Sequence, residues 1–289
     1  MRIGVVFPQT EIGSDVGAVR AYGQRVEELG FRHILAYDHV VGADPAVYKG
    51  WDRPYQVETT FHEPLVLFGY LAAITSLELV TGVIILPQRQ TALVAKQAAE
   101  VDLLSGGKLR LGVGIGWNTV EYEALGQDFH VRGKKLTEQL GLLRRLWTEQ
   151  SLTFEGEHDR ITGAGICPLP VQRPIPLWLG AQSAPGYRRV GRLGDGWFPQ
   201  MAPGPELDEA ISAVEKAATD AGRDLSSIGM EGRASWRSDT DALAAEAQQW
   251  RDAGASHLAV NTMGAGLRTV DDHLAALATA AEALGLRPA

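Results

Sequence analysis

Cysteine is almost missing: Cys167 stands alone in 289 residues, so no internal disulfide can form and no Cys-x-x-Cys metal clip exists. Basic charge is also in deficit, with 27 Lys and Arg against 35 Asp and Glu, a net −8. A nucleic-acid binder needs a basic face, which this balance argues against. No apolar run approaches the roughly 20 residues of a membrane-spanning helix. The segment MRIGVVFPQT carries one arginine and a proline-broken apolar run, too little for a signal peptide. Together these deficits predict a cytoplasmic globular protein whose partner is a small organic molecule, with neither nucleic acid nor membrane involved.

A dinucleotide fingerprint is lacking as well. Gly112, Gly114 and Gly116 alternate through KLRLGVGIGWN, but the third glycine of G-x-G-x-x-G would fall at Trp117. The first apolar run ends in Phe7-Pro8-Gln9-Thr10, not in a glycine-rich turn. Both points exclude a Rossmann site of the usual kind.

What is present is alternation. Apolar runs of strand length recur at 3–7, 33–37, 77–86, 109–113, 176–180, 195–199, 228–236 and 257–260. Between them lie helical periodicities, near 16–29, 64–75, 92–104, 136–147, 184–193, 207–221, 241–253 and 270–284. Ser14 or Asp15 is placed to cap the first helix, and Gly30 to end it. Eight βα units without a composition break predict one α/β domain over 1–289, a (β/α)8 TIM barrel. Two insertions belong to it: a long loop at 40–63 and an irregular stretch at 151–173 that reads as a small hairpin.

Barrel ligands bind where strands end, while strand starts serve stability. That rule sorts the seven histidines. His33 and His257 open strands; His62, His130, His158 and His273 lie in connections or helix starts. His39 directly follows a strand end, beside Asp38, and is the candidate proton donor or acceptor. With one imidazole at the strand ends, a metal centre is not expected. Gly116 and Trp117 close the fourth strand as a bare platform and a cover for a planar ligand. Gly180-Ala181-Gln182-Ser183 ends the fifth, with Ser183 placed to cap the next helix and its amides suited to a phosphate. Arg188 and Arg192 on that helix read as a solvated face. Asp195-Gly196-Trp197 reads equally well as a turn into a strand or as part of the site.

The ordered series Asp38-His39, Val80-Thr81-Gly82-Val83, Leu103–Leu109, Gly112–Asn118 and Arg192–Trp197 resembles the bacterial luciferase-like monooxygenase superfamily over 3–264. The pattern is most similar to its actinobacterial deazaflavin (coenzyme F420)-dependent oxidoreductases. The resemblance implies a luciferase-like barrel with flavin or deazaflavin at its C-terminal mouth, and commonly a homodimer. It implies a non-prolyl cis peptide between Gly82 and Val83, with Thr81, Gly82 and Val83 backing one face of the ring. Cofactor contacts are implied for Gly114, Gly116, Trp117 and Asn118, for Gly180, Ala181, Gln182 and Ser183, and for Gly196 and Trp197. His39, with Asp38 beside it, is implied as the catalytic group near the reacting carbon. Sugar-phosphate dehydrogenases of the superfamily carry an acidic residue where this chain has Trp117, which argues against that activity. Flavin monooxygenases share Gly-Trp-Asn, so F420 and FMN both remain open. A third reading is a barrel that binds such a cofactor without catalysis.

Overall fold

A computed structural model of the protein describes residues 1–288. Eight parallel strands close into a barrel: β1 (Arg2–Val6), β2 (His33–Ala36), β3 (Glu78–Thr81) continued as β4 (Ile84–Ile85), β5 (Leu109–Gly114), β8 (Leu177–Ala181), β9 (Gly196–Pro199), β10 (Gly229–Ser235) and β11 (His257–Asn261). Ladders run β3-β2-β1-β11-β10-β9-β8-β5, and β3 pairs back onto β5 to complete the ring. The Gly82–Val83 peptide is cis, as the resemblance implies, and lies where the third strand breaks into β3 and β4. The expected hairpin is β6 (Leu152–Glu155) against β7 (Arg160–Ala164), antiparallel.

The expected helices form the outer ring: α1 (Val16–Glu28), α2 (Pro64–Ala72), α3 (Thr91–Leu104), α5 (Arg132–Thr148), α6 (Ala184–Leu193), α7 (Pro205–Asp220), α8 (Thr240–Asp252) and α9 (Val270–Ala283). Asp15 is the cap of α1, its carboxylate accepting from Gly17 N, and Gly30 turns the chain at φ +87°. One helix lies outside the sequence expectations: α4 (Thr119–Ala124), six residues that follow β5. It is too short to display a period. Among the described residues, no helix is long and apolar enough to cross a membrane.

Side chains alternate across each strand, so every strand splits its residues between the helix layer and the barrel lumen. Leu109, Leu111 and Val113 of β5 pack outward into the main core, which leaves Arg110, Gly112 and Gly114 facing in. The lumen is stacked in layers. At the strand starts, His33 Nε2 meets Glu231 Oε1 at 2.8 Å, Arg110 bonds the same carboxylate and reaches Glu78 at 3.2 Å, and the Arg110 guanidinium lies 4.3 Å from the Trp178 ring centroid. Above them Val6, Leu35, Val80, Trp178, Phe198 and Ala259 form an apolar plug. His33 and His257 thus sit at the stability end, as their places at strand starts imply.

The ionic layer titrates in one direction. Burial alone would raise Glu231, but Arg110 and His33 outweigh it and hold its carboxyl at about 2. Burial, reinforced by Arg110, pushes His257 down to about 3. Both groups bind protons more readily unfolded than folded, so stability falls as pH drops, from about 6.5 through the His257 window and from about 4.5 through the Glu231 window. Glu231→Ala leaves Arg110 and His33 buried without their partner and is expected to cost about 3–5 kcal/mol in denaturant unfolding at pH 7. His257→Asn should flatten the decline of melting temperature between pH 6.5 and 5; an unchanged slope would show that His257 does not contribute it.

Candidate active site

Above the apolar plug the lumen opens into a cavity of about 1040 Å³ at the C-terminal ends of the strands. His39, Gly82, Val83, Gly114, Gly116, Trp117 and the run Gly180–Ser183 all line it. The floor is glycine because the uppermost inward positions of β5 and β8, Gly112, Gly114 and Gly180, carry no side chain, whereas Arg110 and Trp178 fill the inward positions below. A Cβ on Gly114 would stand 2.7 Å from Val83 Cγ2, and Gly116 turns the chain at φ +65°. Gly180 is different: a Cβ there would meet only Val83, at an ordinary 3.5 Å. Its missing methyl keeps space in the cavity without relieving a clash.

His39 extends from β2 into this space. Its Nδ1 lies 2.9 Å from Glu121 Oε1, which also accepts from Val40 N at 2.9 Å, while Gln88 Nε2 donates to Glu121 Oε2 at 3.4 Å. A carboxylate accepts, so Nδ1 carries the proton and the neutral ring presents Nε2 as an acceptor. Side-chain exposure is 11% for His39 and 1% for Glu121, so the ring is the side of the pair that reaches the cavity. Glu121 is the functional residue that sequence reading missed. It rides on α4, whose N-cap Asn118 accepts from Val120 N through Oδ1.

The structure places five other expected site residues as follows. Asp38 lies at the mouth but does not orient His39: its carboxylate accepts from Ile85 N at 3.2 Å and Arg89 Nη2 at 2.8 Å, fastening β2 to β4. Burial raises its pKa against the opposing pull of Arg89. Thr81 is buried in the wall, where its hydroxyl donates to Gly112 O at 2.7 Å. Asn118 is buried beneath the cavity as the cap just described. Gly196 and Trp197 are not brought to the cavity. Gly196 packs under the Trp178 ring, and alternation turns Trp197 outward to Tyr187 on α6, with ring centroids 5.9 Å apart.

Ser183 precedes α6 but makes no side-chain cap bond, so its hydroxyl is free at the cavity edge. Arg188 and Arg192 are exposed, as read from sequence, whereas Arg189 between them turns into the cavity. Arg189 is held by Thr137 Oγ1 and Gly133 O, and Arg132 by Phe129 O, with its guanidinium 3.6 Å from the Phe129 ring centroid. Neither has a carboxylate partner among the described residues, and the buried Arg132 Nε has no partner at all. Burial lowers the Arg189 pKa, a cost that a bound anion would relieve.

The 40–63 loop folds over the opening, tied by the Ala43–Gln56 bridge. Its Tyr55 and Phe61 rings stand 4.4 and 4.8 Å from His39, and Tyr55 stacks with Trp117 at 6.4 Å. Among the described residues no group of three or more His, Cys, Asp or Glu is placed to hold a metal ion.

These features define a (β/α)8 barrel with one built ligand site at its C-terminal mouth. The chain belongs to the luciferase-like monooxygenase family, whose model matches residues 1–284. An F420-dependent glucose-6-phosphate dehydrogenase of Segniliparus rotundus is 30% identical over 215 residues, which cover 72% of this chain and 60% of that protein. The chain spans about three-fifths of the length of the curated relatives it matches. Among solved structures, a monooxygenase from Streptomyces bottropensis superposes with a TM-score of 0.81 at 19% identity, over 98% of each chain. An F420-dependent secondary alcohol dehydrogenase in complex with an F420–acetone adduct gives 0.80 at 17% identity, again over 98% of each.

Gly180→Ala tests the floor. The added methyl meets nothing closer than ordinary contact, so the melting temperature should stay within about 2 °C of wild type. Affinity for a planar ring cofactor, titrated by fluorescence, should fall about tenfold, or about 1.4 kcal/mol. Unchanged affinity would show that no ring rests on Gly180.

Proposed function

We propose that the protein is an oxidoreductase that moves a hydride between coenzyme F420 and an organic substrate. The observation that carries this reading is the cavity imidazole whose Nδ1 is committed to a buried carboxylate, leaving Nε2 for proton exchange. Family membership and the F420-dependent relatives support F420 as the cofactor in this reading. The residues present suit it: a glycine floor at Gly114, Gly116 and Gly180 for the ring, and Arg132, Arg189 and the free Ser183 hydroxyl for a phosphodiester. When bound, the deazaflavin accepts or donates a hydride.

The protein's part is the proton. As a substrate C–H loses hydride, the adjacent hydroxyl proton passes to His39 Nε2 and the carbon–oxygen double bond forms. In the reverse direction protonated His39 returns it to the carbonyl oxygen. The Glu121 carboxylate holds the ring orientation throughout and stabilises the imidazolium once it forms. Tyr55, Phe61 and Trp117 exclude water above the ring.

An FMN-dependent monooxygenase is the second reading, favoured by that same aromatic cover, since oxygen chemistry on a flavin demands a dry site. Titrating the purified chain with F420 and FMN side by side separates the two. F420 is expected to bind more tightly; tenfold tighter FMN, about 1.4 kcal/mol, would establish the monooxygenase reading.

His39→Ala should keep cofactor affinity within about threefold while slowing single-turnover cofactor reoxidation by at least a factor of about 100. Glu121→Ala should slow the same step while His39 remains, and Glu121→Gln, which can still accept from Val40 N and Nδ1, should recover part of the loss. An unchanged rate in His39→Ala removes it from the mechanism.

A further inference from the structure

The cavity is cationic although the chain carries a net −8. Every carboxylate at its edge is engaged: Asp38 with Arg89, Glu121 with His39, and Glu11 with Gly264 N and within 3.3 Å of His273 Nε2. Of the arginines there, Arg53 lies 3.6 Å from Asp52, whereas Arg132, Arg189 and Arg233 have no carboxylate partner among the described residues. Arg132 and Arg189 make one cationic sector beyond β5 and β8, the one assigned above to a cofactor phosphodiester. A second sector lies on β10 and β2 and has no role in that assignment.

Its centre is Arg233. Alternation along β10 turns Met230 and Ala234 to the helix core and Glu231, Arg233 and Ser235 into the lumen. Glu231 is consumed by the ionic layer below; Arg233, one inward step higher, lines the cavity and is solvent-exposed there. Its Nη1 donates to Tyr37 Oη at 3.1 Å, and its guanidinium lies 6.0 Å from the Tyr37 ring centroid. Among the described residues no carboxylate pairs with it. Tyr37 lies just past the end of β2, two residues before His39, and both line the cavity. Tyr55 descends from the covering loop onto this spot: its ring is 4.4 Å from His39, and burial, then Tyr37, raises its pKa while the positive charge of Arg233 opposes them.

Tyr37, His39, Tyr55 and Arg233 therefore enclose one space, with an unneutralised guanidinium at one end and the proton-accepting Nε2 at the other. We infer that the substrate is an organic acid whose carboxylate pairs with Arg233 and Tyr37 Oη, its apolar body lying against Tyr55 and Trp117 and its reacting carbon beneath His39. A guanidinium fork matches a carboxylate in both charge and geometry. Alcohols and ketones without an acid group make no such pair, so the site favours the acid over them.

This inference rests on the reading that the cavity takes an organic substrate beside a ring cofactor, and its test is independent of which cofactor binds. Benzoate and its neutral isostere benzamide are titrated calorimetrically into the full chain, alone and after saturation with F420 or FMN. Benzoate is expected to bind at least tenfold more tightly than benzamide, a preference that weakens with added salt. Arg233→Gln should erase the preference and Arg233→Lys should keep part of it, with cofactor affinity in both within threefold of wild type; Tyr37→Phe should reduce it without affecting the fold. Equal binding of the two probes, no binding of benzoate, or a preference that survives Arg233→Gln would overturn the inference. So would a tenfold loss of cofactor affinity in Arg233→Gln, which would assign the guanidinium to the cofactor instead. Failure of both cofactors to bind wild type would remove the proposed function while leaving the benzoate comparison readable on the unliganded chain.

Discussion

Closing eight parallel strands into a ring forces every second side chain into a lumen with little room, and the rest of this structure follows from how that room is divided. Charge occupies the bottom, where His33 and Arg110 both pair with Glu231. Apolar bulk occupies the middle. At the top the inward positions of β5 and β8 fall to glycine, and the space they vacate is the cavity at the C-terminal mouth. A cavity next to a tightly packed plug is thus produced by side-chain size along a strand, without any change in backbone architecture.

The site joins elements distant in the chain. His39 comes from the end of β2, and its carboxylate partner arrives 82 residues later on α4. Asp38, adjacent to His39, faces the other way and performs a different task, binding Arg89 and the amide of Ile85 so that β2 and β4 keep their spacing at the mouth. The two neighbours thus divide into an imidazole paired with Glu121 and a carboxylate that holds the frame.

Much of this was legible from residue patterns. Each barrel strand appears in the sequence with ends within one residue of the observed ones, because strands covered on both faces are rich in apolar residues. The break at Gly82–Val83 came from family resemblance rather than from periodicity. Glu121 was hidden because α4 has six residues, fewer than two turns, and offers no repeat. Trp197 was placed at the site although strand parity turns it outward, since a run apolar on both faces does not reveal which face is which. The parity of β10 did hold a signal: Glu231, Arg233 and Ser235 are polar at every second place within an otherwise apolar or small strand, which marks a lumen-facing row carrying charge toward the mouth.

The ionic layer has a consequence for traffic. Because His33, Arg110, Glu231 and Trp178 stop the lower end of the lumen, the barrel is a vessel with one door. A molecule resting on the apolar plug is therefore approached from the C-terminal mouth, past the rings of Tyr55, Phe61 and Trp117.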